Sequence, residues 1–71
     1  SLSSEQRMKL ISQLEKGTFP NLYGMEIMDV LYVLENNNIK VEFEGVGKVV
    51  SQSLKKGSEI KKDLIVKLKL S

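Results

Sequence analysis

The sequence of 71 residues contains no cysteine and no histidine. A disulfide bond is therefore impossible, and the usual structural zinc sites, which use these two residue types as ligands, are excluded. The same absence removes the side chains that enzymes use most often as activated nucleophile and general base. A domain of this size hides only about 60% of the surface of its unfolded chain, so a small hydrophobic core must hold the fold alone. The sequence predicts one small domain without cofactor, metal site or catalytic residues.

Long apolar runs are also lacking. No segment approaches the length of about 20 residues that a membrane-spanning helix requires, and the N-terminus does not show the pattern of a secretion signal. The absence of cysteine leaves the compartment open, because domains without disulfides occur on both sides of a membrane. If the domain works outside the cytoplasm, we expect another part of a longer parent chain to carry it there and to anchor it.

The formal net charge is only +2, but the charge is unevenly distributed along the chain. Residues 20–47 contain one lysine and five acidic side chains, whereas residues 48–71 contain seven lysines and two acidic side chains. Attraction between the two halves within the fold is the simplest interpretation. The alternative is a basic face for an anionic partner, such as a wall polymer or lipid headgroups.

Two segments have the apolar spacing of one-sided helices. Residues 3–16 begin with a capping box formed by Ser3 and Gln6 and end at Gly17, which is a common helix stop. This first segment predicts a short helix. The alternative interpretation is a frayed linker that belongs to a neighbouring domain. Residues 25–37 give the stronger signal, because four apolar side chains share one face: Ile27, Val30, Leu31 and Leu34.

After the second helix, the apolar period changes to the alternation of a half-buried strand. The closing strand shows this alternation clearly, with Val66, Leu68 and Leu70 on one face. We predict three strands, at residues 39–44, 48–53 and 64–70.

The first two predicted strands are separated by a glycine-containing turn at residues 45–47. Counting across this turn predicts a hairpin in which Glu44 lies opposite Lys48 and Phe43 lies opposite Val49. A glycine bulge would shift this register by one residue.

The predicted fold is therefore α+β: one amphipathic helix packs on a three-stranded antiparallel sheet, preceded by a short extra N-terminal helix. Phe19 and Phe43 are expected in the core. Tyr23 and Tyr32 are expected to be half-buried, with their hydroxyl groups in water.

Few residues suggest chemistry. Glu42 and Glu44 lie two residues apart on one strand face, but we expect solvated charges there and no acid-base pair. Ser53 and Lys56 match the Ser-x-x-Lys nucleophile motif, which acts only when the serine opens a helix in a large transpeptidase domain with further catalytic elements. Here the match falls between strands, so we reject a catalytic role.

Four groups of residues occur in the order typical of a known family. They are an opening proline segment that ends in Gly-Met, a helix with an early aspartate, a Val-x-x-Gln run before a glycine, and an alternating closing strand. In this sequence they are Pro20, Leu22, Gly24 and Met25; Asp29, Leu31 and Leu34; residues 49–52 with Gly57; and Val66, Leu68 and Leu70. Residues 19–71 thus resemble a PASTA domain, and residues 1–18 are expected to be an N-terminal helix or linker from the parent protein.

Three positions depart from the pattern of this family. Leu54 stands where a proline is usual, Asp63 stands where a glycine usually opens the last strand, and Asn38 stands where a glycine commonly caps the helix. These changes leave the fold prediction intact. The missing proline puts in doubt any ligand contact that the family makes through that loop.

PASTA domains are shared by penicillin-binding proteins and membrane-anchored Ser/Thr kinases. The sequence segments at residues 29–36 and 47–53 look most like those of the C-terminal module of division-type transpeptidases. The resemblance implies a non-catalytic, monomeric module on the extracytoplasmic side of the bacterial inner membrane. It would bind peptidoglycan fragments or dock on the transpeptidase domain or divisome proteins, and would not bind nucleic acid.

Two alternatives stay open, namely a sensor module of a kinase and a purely structural domain that stabilises its parent. For a binding module, we predict a ligand surface formed by Lys48, Gln52, Lys55 and Lys56.

Overall fold

A computed structural model describes residues 2–71 of the chain. Along the sequence it contains helices α1 (Ser4–Glu15) and α2 (Ile27–Glu35), followed by strands β1 (Lys40–Glu44), β2 (Val49–Gln52) and β3 (Ile65–Leu70). The predicted α+β class is confirmed, with two helices and one three-stranded sheet. Neither helix is long and apolar enough to cross a membrane.

Helix α1 forms as predicted and packs on the rest of the domain. The Ser3 hydroxyl accepts a hydrogen bond from Gln6 N at 3.1 Å, and the Gln6 side chain accepts one from Ser3 N at 2.9 Å, which completes the capping box. A helix of 12 residues is only marginally stable alone. Its C-terminal half gains stability because Leu14 is buried in the core, while Leu10 and Ile11 pack against the core from one side.

Backbone hydrogen bonds also fix the segment that follows α1. Phe19 pairs with the loop before β3 through Gly57 N to Phe19 O at 2.8 Å and Phe19 N to Ser58 O at 2.9 Å. Ile60 N donates to Gly17 O at 2.9 Å. The residues around position 18 are therefore an integral part of the fold, and α1 is tied to the domain at its C-terminal end.

Helix α2 is shorter than the predicted helix at residues 25–37, because the residues before its first turn make another contact. Met25 O accepts a hydrogen bond from Val49 N at 2.9 Å, and Glu26 forms an isolated bridge with Lys48. Glu26 is held extended by this bridge, and the helix can begin only after it.

The buried face of α2 is rotated slightly from the predicted face. Val30, Val33 and Leu34 are buried, whereas Ile27 and Leu31 are only half-buried. The apolar spacing alone did not identify Val33, because an i, i+3, i+4, i+7 pattern fits two neighbouring faces when most of the helix is apolar.

The predicted antiparallel sheet is wrong, because the sheet is mixed and has the order β1-β3-β2. Strand β3 runs parallel to β1 and antiparallel to β2, so β1 and β2 never pair. The alternating aliphatic residues of β3 are all buried. This most apolar strand takes the centre, where both of its edges are paired, and the charged β1 and polar β2 lie outside it.

The predicted pairs of Glu44 with Lys48 and of Phe43 with Val49 are therefore wrong as well. The glycines of the 45–47 segment instead let the chain cross the end of β3, since a Cβ atom on Gly45 would collide with the Leu70 backbone. After the crossing, Ser71 N donates to Lys48 O at 2.9 Å and β2 begins.

Aromatic burial differs from the prediction at three positions. Phe19 is fully buried as expected. Phe43 was expected in the core but is 48% exposed, because it lies on an edge strand with a neighbour on one side only. Tyr23 and Tyr32 were expected to be half-buried but are 69% and 57% exposed. The guanidinium of Arg7 lies 5.1 Å from the centre of the Tyr32 ring, so α1 partly shields that ring.

Candidate functional site

Three shallow depressions on the described surface differ in charge. One lies on the outer face of the sheet and mixes acidic with basic side chains, and a second, beside the end of α2, also contains both signs. The third contains two lysines and no acidic residue. The charged residues of the three are, in this order, Glu42, Glu44, Lys67 and Lys69; Lys61, Lys62 and Asp63; and Lys55 and Lys56.

We call the third depression the Tyr23 cleft. It has a volume of about 330 Å³ and lies between the opening segment and the outer side of β2. Its lining residues are Asn21, Tyr23, Val49, Val50, Ser51, Gln52, Lys55 and Lys56.

One wall of the Tyr23 cleft is formed by a rigid turn. The Asn21 carboxamide oxygen accepts a hydrogen bond from Tyr23 N at 3.0 Å, which is the Asx-turn geometry that asparagine favours. Gly24 follows with a φ of +81°, a conformation that only glycine adopts without strain, and its N donates to Val49 O at 2.8 Å. The turn projects the exposed Tyr23 side chain next to β2.

The floor of the cleft is fixed by the half-buried side chain of Gln52. Its Oε1 accepts from Leu22 N at 2.8 Å, and its Nε2 donates to Pro20 O at 3.2 Å and to Leu54 O at 2.6 Å. Both amide hydrogens are therefore used within the protein. This single side chain connects the opening segment, β2 and the loop that follows β2.

The structure brings together three of the four predicted ligand residues. Gln52, Lys55 and Lys56 line the same cleft, whereas Lys48 lies outside it. The backbone of Lys48 pairs with Ser71 at the end of β3. Whether any of these four residues contacts a ligand stays a prediction.

A comparison with protein-family models gives a match to the PASTA domain over residues 17–71, which is more than three quarters of the chain. This chain belongs to the PASTA family. PASTA domains are non-catalytic binding modules of penicillin-binding proteins and Ser/Thr kinases, generally bind peptidoglycan fragments and are typically extracytoplasmic. No curated protein and no solved structure matches the chain significantly.

The geometry explains two departures from the PASTA pattern. Asn38 and Asp63, which stand where glycine is usual, have positive φ angles of +63° and +62°. Asparagine and aspartate tolerate this left-handed conformation better than other residues with a side chain. The backbone shape is thus retained at both places without glycine.

The third departure, Leu54, is also accommodated. Its side chain is partly buried against the hydrophobic core, and its carbonyl accepts the Gln52 hydrogen bond. The loop after β2 is therefore held by apolar packing and by Gln52 in place of the rigid proline ring of the usual PASTA sequence.

Five lining residues of the cleft are not among the ligand residues predicted from the sequence, namely Asn21, Tyr23, Val49, Val50 and Ser51. One signal for the first two was present. Asn21 directly follows the Phe19-Pro20 pair and lies three residues before Gly24. This pattern predicts a tight turn, and a tight turn exposes the side chain at its tip. For Val50 the signal was absent, since its exposure depends on the register irregularity between Val49 and Ser51.

The Ser-x-x-Lys match has a structural explanation in this PASTA domain. Ser53 N donates to Lys67 O at 2.9 Å, and the Ser53 hydroxyl accepts from Lys67 N at 2.9 Å. Ser53 therefore extends the pairing of β2 with β3 by one residue. Lys56 is exposed on the cleft.

Proposed function

We propose that this chain is the PASTA module of a penicillin-binding protein, and that it binds peptidoglycan fragments in the Tyr23 cleft on the extracytoplasmic side of the membrane. One observation carries the binding proposal: the cleft combines an exposed aromatic ring with two lysines and no acidic residue. The parent would act in cell-wall synthesis during division, and the module itself would break no covalent bond.

The chemistry of the cleft suits a ligand that is partly apolar and partly anionic. The exposed ring of Tyr23 and the neighbouring Val50 side chain offer an apolar surface on which a sugar ring can lie. Lys55 and Lys56 supply mobile positive charges for the carboxylates of a peptidoglycan fragment. Because Gln52 makes three hydrogen bonds within the protein, we propose that it positions the cleft and does not itself bind.

The binding proposal is tested by titrating the protein with a soluble muropeptide while amide chemical shifts are recorded. We expect shifts concentrated at Tyr23, Val50, Lys55 and Lys56. Reversing both charges in Lys55→Glu/Lys56→Glu should weaken binding about tenfold or more, because two attractive contacts become repulsive.

The chain contains a matched control for this double variant. Lys61→Glu/Lys62→Glu makes the same change of net charge in a depression that already contains Asp63. We expect this control to bind the muropeptide nearly as tightly as the wild type. Equal losses in the two double variants would show only a general charge effect, and shifts absent from the Tyr23 cleft would exclude it as the site.

The parent protein is proposed from the likeness of residues 29–36 and 47–53 to division-type transpeptidases. The sequence of the complete gene product tests it. A Lys-Thr-Gly element upstream of this module would support a transpeptidase, whereas a kinase domain with a single membrane-spanning helix would contradict it. A docking role on the transpeptidase domain or on divisome proteins is compatible with the same parent.

The second candidate is a purely structural role, which is supported by the exposed apolar side chains of Met8 and Met28 on the helices. Deletion of the module from the parent distinguishes the two roles. A ligand-binding module should leave the melting temperature of the parent nearly unchanged, whereas a structural module should lower it by several degrees.

A further inference from the structure

The two edge strands of the sheet differ in their free hydrogen-bonding capacity. Strand β2 is partly covered on its outer edge, where Val49 exchanges backbone hydrogen bonds with Gly24 and Met25. Strand β1 pairs with β3 on one side, and among residues 2–71 no backbone or side-chain partner occupies its other side. The outer edge of β1 thus presents unpaired N–H and C=O groups that another extended strand can bind.

The side chains of β1 are sorted between the two faces of the sheet. By its pairing with β3, Phe43 shares the inner face with Leu68, and Glu42 shares the outer face with Lys67. Val41 is half-buried on the inner face, and Phe43 is almost half exposed there. The inner side of this edge is therefore apolar and incompletely covered.

We propose that β1 pairs with β1 of a second copy of this chain, so that two sheets join into one. Antiparallel pairing about a two-fold axis at Val41 places Lys40 opposite Glu42 of the second copy, and Glu42 opposite its Lys40. Val41 then lies opposite its own counterpart, and Phe43 lies next to Ile39 of the second copy, the buried residue directly before β1. Each charged pair is attractive and each inner pair is apolar, which are the cross-strand combinations that stabilise a sheet.

Charge selects this register from the neighbouring ones. A two-fold axis at Glu42 would keep two attractive pairs, because Lys40 would lie opposite Glu44 of the second copy, but it would also place the Glu42 carboxylate opposite itself. An axis at Phe43 would place Glu42 opposite Glu44 twice. Like charges directly opposite each other are destabilising. Charged residues normally protect an edge strand from pairing. In the register proposed here, however, Lys40 and Glu42 attract each other across the two copies, and only the other registers place like charges opposite each other.

The interface is small, because it consists of about one short strand from each copy. Contacts of this size give weak and reversible association, so the monomer that the family resemblance implies predominates in dilute solution. The proposal is independent of ligand binding in the Tyr23 cleft, which lies at β2 on the other side of the central strand.

Sedimentation velocity over a concentration series tests the proposal on the complete chain. We expect a reversible increase of the weight-average sedimentation coefficient towards that of a dimer. The single variants Lys40→Glu and Glu42→Lys should each weaken association about tenfold, since two attractive pairs become repulsive. The double variant Lys40→Glu/Glu42→Lys should restore it, because the exchanged charges are again opposite each other.

A control on the same strand excludes a general effect of charge. Glu44→Lys makes the same change as Glu42→Lys, but in this register position 44 lies beyond the paired residues, because Asn38 of the second copy belongs to the turn before β1 and has a φ of +63°. This variant should leave association nearly unchanged. Thermal unfolding of each variant verifies that the monomer is folded. A chain that stays monomeric up to its solubility limit would overturn the proposal, and so would a double variant that associates as poorly as the single ones.

Discussion

The two sides of this small sheet are stabilised in different ways. On the β2 side, the opening segment is fastened by the three hydrogen bonds of Gln52 and by backbone pairing at Val49. On the β1 side, no such segment covers the strand within residues 2–71, and Phe43 stays half exposed. The proposed binding cleft thus lies at the edge that the opening segment covers, and the proposed intermolecular pairing uses the edge that no described segment covers.

This difference predicts that replacing an inner-face side chain by alanine lowers the free energy of unfolding much more on the central strand β3 than on the edge strand β1. Leu68 on β3 is only 2% exposed, whereas its partner Phe43 on β1 is 48% exposed. We expect Leu68→Ala to lower the free energy of unfolding by about 3 kcal/mol and Phe43→Ala by only about 1 kcal/mol. Urea unfolding measured by circular dichroism tests both values.

A domain of this size has about 3–5 kcal/mol of net stability, so Leu68→Ala should keep at most about 2 kcal/mol and should unfold at a much lower urea concentration than the wild type. Phe43→Ala should remain folded and give a complete transition. Similar losses for the two variants would mean that β1 is covered more fully than the described residues show.

A second prediction concerns the hydrogen bonds by which Gln52 holds the opening segment on the β2 side of the sheet. Gln52→Ala leaves the N–H of the buried Leu22 and two carbonyl groups without their partner, and should cost about 2–3 kcal/mol. The glutamate variant retains an acceptor for Leu22 but loses both donors, so Gln52→Glu should also be destabilised. Amide hydrogen exchange should rise first in the opening segment and not in β1.

The control for this prediction is Ser51→Ala, which removes an exposed side chain from the same strand. Its free energy of unfolding should change by no more than about 0.5 kcal/mol. If Gln52→Ala were equally harmless, water would be replacing the lost hydrogen bonds. The cleft could not then depend on Gln52 for its shape.

The sequence predicts those features of the fold that depend on residues close together along the chain. The capping box of Ser3, the two helices and the inner face of β3 follow from nearest neighbours along the chain, and these predictions are confirmed. The strand order is not local. A glycine-containing turn between two alternating segments predicts a hairpin, and nothing within residues 39–53 reveals that β3 inserts between them.

The same limit applies to the candidate site. Lys55, Lys56 and Gln52 were identified because they lie close together in the sequence. Tyr23 joins them through contacts that span about thirty residues, so no local pattern could place it there. Lys48 is near Gln52 in the sequence but is directed elsewhere by its pairing with Ser71.

The smallest expected effect concerns Asp63, a residue at positive φ that precedes the central strand β3. Asp63 lies two residues before the first residue of β3 and has a φ of +62°. Glycine adopts this conformation without a Cβ clash, although it also increases the entropy of the unfolded chain. Asp63→Gly should therefore raise the free energy of unfolding by about 0.5 kcal/mol, as measured by urea unfolding.

Because Asp63 lies beside Lys61 and Lys62, its replacement also removes an attractive charge. Asp63→Asn isolates this contribution, since asparagine keeps the tolerance for positive φ and loses only the charge. Asp63→Ala should be less stable than either variant, because alanine has the Cβ atom and no side-chain hydrogen bond to offset it. The backbone argument requires the order glycine, asparagine, alanine from most to least stable. An alanine variant as stable as the glycine variant would show that the left-handed conformation at this position carries no measurable strain.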